Sequence, residues 1–315
     1  MGLVPMAVLL AHQRRGIGAA PIRGGFERTY HDLRGGGFLL LALLLTSCRT
    51  VDVNEATFFR PRPCPSTDVV ESPFDDVRVQ VDEYVRIQVL LWSPREPDAL
   101  LIYLGGNETR HCSDEAANKS RMRLHAWAEE LNIAVALVNY RGYAQSEGSA
   151  NLELGRIDAL KVYQVLTADP RFSRAPVIAH GQSLGSSFAI ELSLRGNVAG
   201  LVLESPPTTA RAVLSRATPW YVKPFVRYRI AEHLGRENNA SAAANISSPL
   251  LIIVGDSDPV TPLEMSEAVL AEAKSEEKSL VVIPGGHHGD LARFDAFWME
   301  LGAFVGKVSS TPPIH

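Results

Sequence analysis

From residue 99 onward, short continuous apolar runs alternate with amphipathic stretches. The runs are ALLIYL (99–104), IAVALVNY (133–140), APVIAH (175–180), VAGLVLE (198–204), PLLIIVG (249–255) and SLVVIPG (279–285). Each has strand length and aliphatic content, the pattern of a strand buried on both faces of a parallel sheet. The stretches 121–132, 153–166 and 291–305 read as helices. Met122, Ala126 and Leu131 lie near one face of the first, and Ile157, Leu160 and Val165 near one face of the second. In the third, Phe294, Phe297, Trp298, Leu301 and Phe304 recur at helical spacing, with Asp290 as its N-cap. Ahead of these, VRVQVDEYVRIQVLLW (77–92) alternates apolar and polar positions around Asp82-Glu83, which predicts a β-hairpin with one wet face. The alternation predicts a mostly parallel, doubly wound α/β sheet with an N-terminal antiparallel hairpin. Ligands of such sheets bind at the carboxyl ends of the strands. Residues 206–248 are long for a crossover and rich in aromatics and Arg, and predict a small helical excursion over the site. Trp220, Tyr221, Phe225 and Tyr228 there either line an acyl pocket or simply pack.

The first fifty residues follow a different pattern. Residues 1–37 are rich in Gly and Arg and keep no period. The apolar run Phe38–Leu45 follows, then Thr46-Ser47-Cys48. Eight apolar residues are too few to span a bilayer as a helix. They suit the h-region of a secretory signal, with a positive region before and small residues after. The chain therefore divides into a signal segment (1–48), a Pro- and acid-rich linker (49–76) and one α/β domain (77–308).

Composition narrows the function. Of the 315 residues 46% are hydrophobic and 21% charged, an ordinary globular balance. A net charge of −4, with no long Lys/Arg block and no aromatic–basic interleaving, argues against a nucleic-acid partner. Removing residues 1–47 takes away five arginines and two acids, so the net charge becomes −7, an acidic body. Among the three cysteines, Cys64 and Cys112 are left over once Cys48 is assigned to the signal. In an oxidising envelope they form either a disulfide or two unrelated thiols. His111 has no partners at metal-ligand spacing, so no metal and no cofactor is expected.

Candidate chemistry sits where the runs end. After the run at 175–180, Gly181-Gln182-Ser183-Leu184-Gly185 matches G-x-S-x-G, entered from a strand and left by a helix. In that context the pattern is a nucleophile elbow, a strained turn that projects the Ser hydroxyl from the sheet. A serine hydroxyl needs a base, and the base an orienting acid. The run at 249–255 ends in Asp256 and Asp258, and the run at 279–285 leads to His287 and His288. Ser183 is thus the candidate nucleophile, Asp258 the acid and His288 the base, each at a different strand end. Leu184 N–H and Asn107 N–H are the candidate oxyanion-hole donors, the second from the loop after the run at 99–104.

With these motifs in order over about residues 75–306, the chain resembles the α/β-hydrolase superfamily. It is similar to the esterase/peptidase-type branch with a YRGYG-x-S-x-G loop, here NYRGYAQSEGSAN at 139–151. Gly255, Asp258 and Pro262 match that branch's acid-loop pattern, which favours Asp258 over Asp256. Its H-N-D base turn, laid on PGGHHGD, favours His288 over His287. Two positions depart from it: Gly105 stands where the oxyanion loop usually carries His, and Ala144 where Gly is usual. The first departure implies a loop held differently, with Cys112 as the candidate support. Leu45-Thr46-Ser47-Cys48 likewise resembles the lipobox of bacterial lipoproteins, in which the Cys bears the lipid; a plain signal peptide and a short buried helix are the alternatives. The resemblance implies a serine hydrolase acting on a small-molecule ester or thioester through an acyl-enzyme, anchored to a bacterial envelope membrane and facing the periplasm or exterior. The alternatives are an aminopeptidase or amidase of the same fold, a non-catalytic binding lipoprotein, and an enzyme kept in the cytoplasm.

Overall fold

The computed structural model describes residues 48–61, 64, 73–109, 111 and 115–310. The expected signal segment before Cys48, and Cys112, lie outside the described residues. The chain divides into two compact units. The larger comprises residues 52–216 and 229–315, and the smaller contains the described residues 48–51 and 217–228.

The strands are β1 (Arg49–Val53), β2 (Asp75–Gln80), β3 (Arg86–Trp92), β4 (Leu100–Leu104), β5 (Ala134–Val138), β6 (Val177–Gln182), β7 (Gly200–Glu204), β8 (Val226–Ile230), β9 (Leu250–Gly255) and β10 (Lys278–Ile283). Eight of them form one sheet in the order β10-β9-β7-β6-β4-β5-β3-β2. Its pairs are parallel from β10 to β5. The β2–β3 hairpin joins the β5 edge antiparallel. Central strands such as β5, β7 and β9 are buried at every residue, which explains their unbroken apolar runs.

Alternate residues of β4 feed two cores. Leu100, Ile102 and Leu104 join the helices Leu152–Ala168, Gly185–Arg195 and Leu263–Glu272 on one face. Leu101 joins the helices Glu115–Glu130 and Asp295–Ser309 on the other. Each fully buried Leu or Ile side chain contributes roughly 1.5–3 kcal/mol relative to exposure.

The face of the last helix packs as expected, as do Leu131 and Leu160, but the faces of the other two helices differ in part. Met122, Ala126, Ile157 and Val165 are exposed. Helix Leu152–Ala168 instead buries Leu152, Gly155, Asp158, Ala159, Val162 and Leu166. Its phase is set by Asp158, which Arg141 pairs, and by Gly155, whose missing Cβ admits the Phe188 ring. Asp290 does not cap the last helix. A short turn, Leu291–Arg293, intervenes, and the Asp290 carboxylate accepts from His287 N–H at 2.7 Å. Residues 206–248 carry the helix Ala210–Ala217 and two short helices, Glu232–Gly235 and Asn239–Ala243, together with strand β8.

Candidate active site

Parallel strands β6, β9 and β10 deliver their carboxyl ends to one edge of the sheet, and the candidate residues follow those ends. Ser183 sits between β6 and the helix Gly185–Arg195 with φ +51°. A non-glycine residue in this left-handed region is strained, as a nucleophile elbow requires. Gly185 permits the tight turn: a Cβ there would lie 1.9 Å from Leu104 O. Ser183 N–H donates to Glu204 C=O at 2.8 Å, which ties the elbow to β7.

His288 bridges the other two residues. Its Nε2 lies 2.9 Å from Ser183 Oγ, and its Nδ1 lies 2.8 Å from Asp258 Oδ2. Asp258 is buried. Its other oxygen accepts from Val260 N–H at 2.8 Å and Thr261 N–H at 2.9 Å. Burial pushes the Asp258 carboxyl up, but His288 and these two amides outweigh it and hold the group below the usual carboxylate range. Thr261 Oγ1 lies 2.9 Å from both Asp258 Oδ2 and His288 Nδ1 and donates to Ser205 C=O at 3.1 Å, closing the site from below.

The paired candidates separate cleanly. His287 is exposed, and its Nδ1 lies 2.7 Å from Ser257 C=O, away from Ser183. Asp256 accepts from Gly285 N–H at 2.8 Å and so holds the turn ahead of His288.

The loop after β4 runs beside the elbow: the Cβ position of Gly106 is 3.6 Å from Ser183 Cβ. Neither Asn107 N–H nor Leu184 N–H has a backbone partner among the described residues. A Cβ at Gly105 would meet Thr109 Cγ2 at 2.4 Å, so a larger residue at this position would require Thr109 to move. Other groups hold the loop. Tyr140 O–H donates to Gly105 C=O and Tyr143 O–H to Asn107 C=O, each at 2.7 Å. Gln182 Oε1 accepts from Gly106 N–H at 3.3 Å, Thr109 O–H at 3.3 Å and Tyr103 O–H at 2.9 Å. Gln182 Nε2 in turn donates to the buried Glu204 at 2.9 Å. Burial, then the Glu204 charge, pushes the Tyr103 hydroxyl well above its ordinary range, so it stays a donor. His180 is a packed strand residue, 3.3 Å from Glu204 and edge-on to Tyr103.

The 139–151 loop that supplies both tyrosines is itself fixed. Arg141 Nη2 and Nε donate to Asp158 at 2.7 and 2.5 Å, and Nη2 also reaches Asp82 at 2.7 Å. Ala144 adopts φ +50°, a left-handed conformation that favours glycine. Cys64 is disulfide-bonded and its N–H donates to Ala144 C=O; its expected partner, Cys112, is not among the described residues. Sequence reasoning missed Gln182, Tyr140, Tyr143 and Thr261 as parts of the site. For Gln182 a signal existed, since it lies inside the G-x-S-x-G pattern. Among the described residues no His/Cys/Asp/Glu group could hold a metal ion.

Residues 234–292, which hold the acid and base loops, match the family model described as serine aminopeptidase, S33. An uncharacterized protein of Mycobacterium tuberculosis, Rv2307c, is 32% identical over 180 residues, 57% of this chain and 62% of that protein. The zebrafish (Danio rerio) lysophosphatidylserine lipase ABHD12 is 27% identical over 234 residues, 68% of this chain and 56% of the lipase. The chain thus spans about three fifths of the length of the curated relatives it matches. Among solved structures, the Pyrococcus furiosus esterase Pf2001 superposes with a TM-score of 0.64 at 16% identity, covering 79% of this chain and 100% of the esterase. The parallel sheet with its antiparallel edge and this structural likeness agree: the chain has the α/β-hydrolase fold.

Proposed function

We propose that the protein is a serine hydrolase that cleaves a carboxylic ester or thioester through an acyl-enzyme. One observation carries this reading: His288 joins Ser183 Oγ at 2.9 Å and buried Asp258 at 2.8 Å, with Ser183 on a strained elbow. Ser183 attacks the acyl carbon while His288 Nε2 takes its proton. The same nitrogen then returns that proton to the leaving oxygen or sulfur. Asp258 keeps the Nδ1–H tautomer and stabilises the imidazolium. Leu184 and Asn107 N–H groups receive the oxyanion. Water, activated by His288, completes hydrolysis. The esterase Pf2001 and the ABHD12 lipase support an ester substrate by likeness. A second reading, an aminopeptidase or amidase, is favoured by the serine aminopeptidase match over 234–292.

The same proposal puts the enzyme on a bacterial envelope membrane, with lipid on Cys48, whose thiol is free and exposed. Turnover of p-nitrophenyl esters of graded acyl length, beside aminoacyl p-nitroanilides, tests the chemistry. Ester hydrolysis lost in Ser183→Ala is expected. Cleavage of the anilides alone assigns the second reading, and no turnover of either removes both.

A further inference from the structure

The smaller compact unit has a surface that the chemistry above leaves unused. Within it, residues 219–225 wind into a tight turn: Val222 and Lys223 N–H donate to Pro219 C=O, and Phe225 N–H to Val222 C=O. That turn presents aromatic side chains outward. Trp220 is 81% exposed and Tyr221 60% exposed, their rings edge to face at 5.8 Å. Large aromatic rings normally sit buried, and adjacent exposed ones mark an interaction surface. Cys48 rests on the same turn, its Sγ 3.8 Å from Pro224 C=O. Strand β1 starts at the next residue, Arg49, which leaves no slack between Cys48 and folded chain. Charge completes the pattern. Among this unit's described residues the charged side chains are Arg49, Lys223 and Arg227, all exposed, with no Asp or Glu, in a chain of net charge −4.

We propose that this face docks on an anionic lipid bilayer. Trp220 and Tyr221 enter the boundary between headgroups and acyl chains, where amphipathic rings concentrate. Arg49, Lys223 and Arg227 meet the lipid phosphates. The inference rests on the reading of Cys48 as the lipidated residue. A lipid on its Sγ would bring the 219–225 turn to headgroup depth, and the patch would supply a second attachment signal beside the acyl chains. A second copy of the chain fits this face poorly, because a two-fold contact would set its cations against one another.

The test uses the full chain isolated from bacterial membranes and returned to phosphatidylglycerol-containing vesicles with brominated acyl chains. Bromine quenches a nearby indole, and mass spectrometry of the Cys48 peptide reports its acylation. The expected result is stronger quenching of the wild type than of Trp220→Phe, the difference reflecting one of the four tryptophans. It should shrink in neutral phosphatidylcholine vesicles and in high salt. Equal quenching of both proteins with Cys48 acylated overturns the docking and leaves the anchor. Trp220-dependent quenching with Cys48 unmodified keeps the docking and removes the anchor. Absence of both removes both. Self-association in sedimentation that Trp220→Ser abolishes assigns the face to a second copy and overturns the proposal.

Discussion

Gln182→Met would isolate the support of the oxyanion loop from the reacting groups. Methionine approximates glutamine in length and volume, so packing changes little. What disappears is a junction: Oε1 accepts from Tyr103, Gly106 and Thr109, and Nε2 donates to Glu204. Two of these bonds are long, at 3.3 Å, and one reaches a buried carboxylate. With neutral hydrogen bonds worth about 1 kcal/mol and those to charged groups about 1.5–3 kcal/mol, stability should fall by roughly 3 kcal/mol. The catalytic effect is separate. Gly106 precedes Asn107, and loss of one oxyanion donor costs roughly 3–4 kcal/mol in the barrier. Tyr140 and Tyr143 still hold the loop at Gly105 and Asn107. The expected loss is therefore partial, about 10- to 100-fold in the acylation rate, short of the full value for a donor. KM should change little, because the oxyanion exists only in the transition state. Release of p-nitrophenol under single-turnover conditions measures the rate, and urea unfolding measures stability. A folded variant that acylates at the wild-type rate, or one that raises KM alone, would refute the role assigned to Gln182.

Two further outcomes concern the scaffold. Ala144→Gly should raise stability by about 1 kcal/mol, since a Cβ at positive φ costs about 1–2 kcal/mol and glycine's greater unfolded-state entropy returns part of it; an unchanged urea midpoint would contradict this. Burial, with nearby Arg121 contributing, lowers His111 to about 3. The unfolded chain takes up this proton first, so stability falls as pH drops from about 7 toward 3. Between pH 7.5 and 5 the wild type should lose about 2 kcal/mol more than His111→Phe, and equal losses would contradict the assignment.

How much of this was legible in sequence depended on the kind of interaction. Ser183, Asp258 and His288 could be placed near one another because each follows a strand of the parallel sheet, and parallel strands end at one edge. Choosing Asp258 over Asp256 and His288 over His287 needed the resemblance, since neighbouring residues share every bulk property. The helix faces were misjudged where polarity misled: Asp158 is buried because Arg141, distant in sequence, neutralises it. Tyr140, Tyr143 and Gln182 lie inside motifs visible in the sequence, but the hydrogen bonds through which they act reach residues 35 to 79 positions away, and those partners the motifs do not record. The departure at Gly105 was visible, but its replacement by hydroxyl and amide supports was not.

The central claim is that Ser183 forms the acyl-enzyme with His288, not His287, as its base. Intact-mass measurement after brief exposure to a fluorophosphonate tests it most directly. The account predicts one adduct on Ser183 in the wild type and in His287→Ala, and none in Ser183→Ala or His288→Ala. An adduct on Ser183→Ala, or labelling that survives in His288→Ala and is lost in His287→Ala, would contradict it.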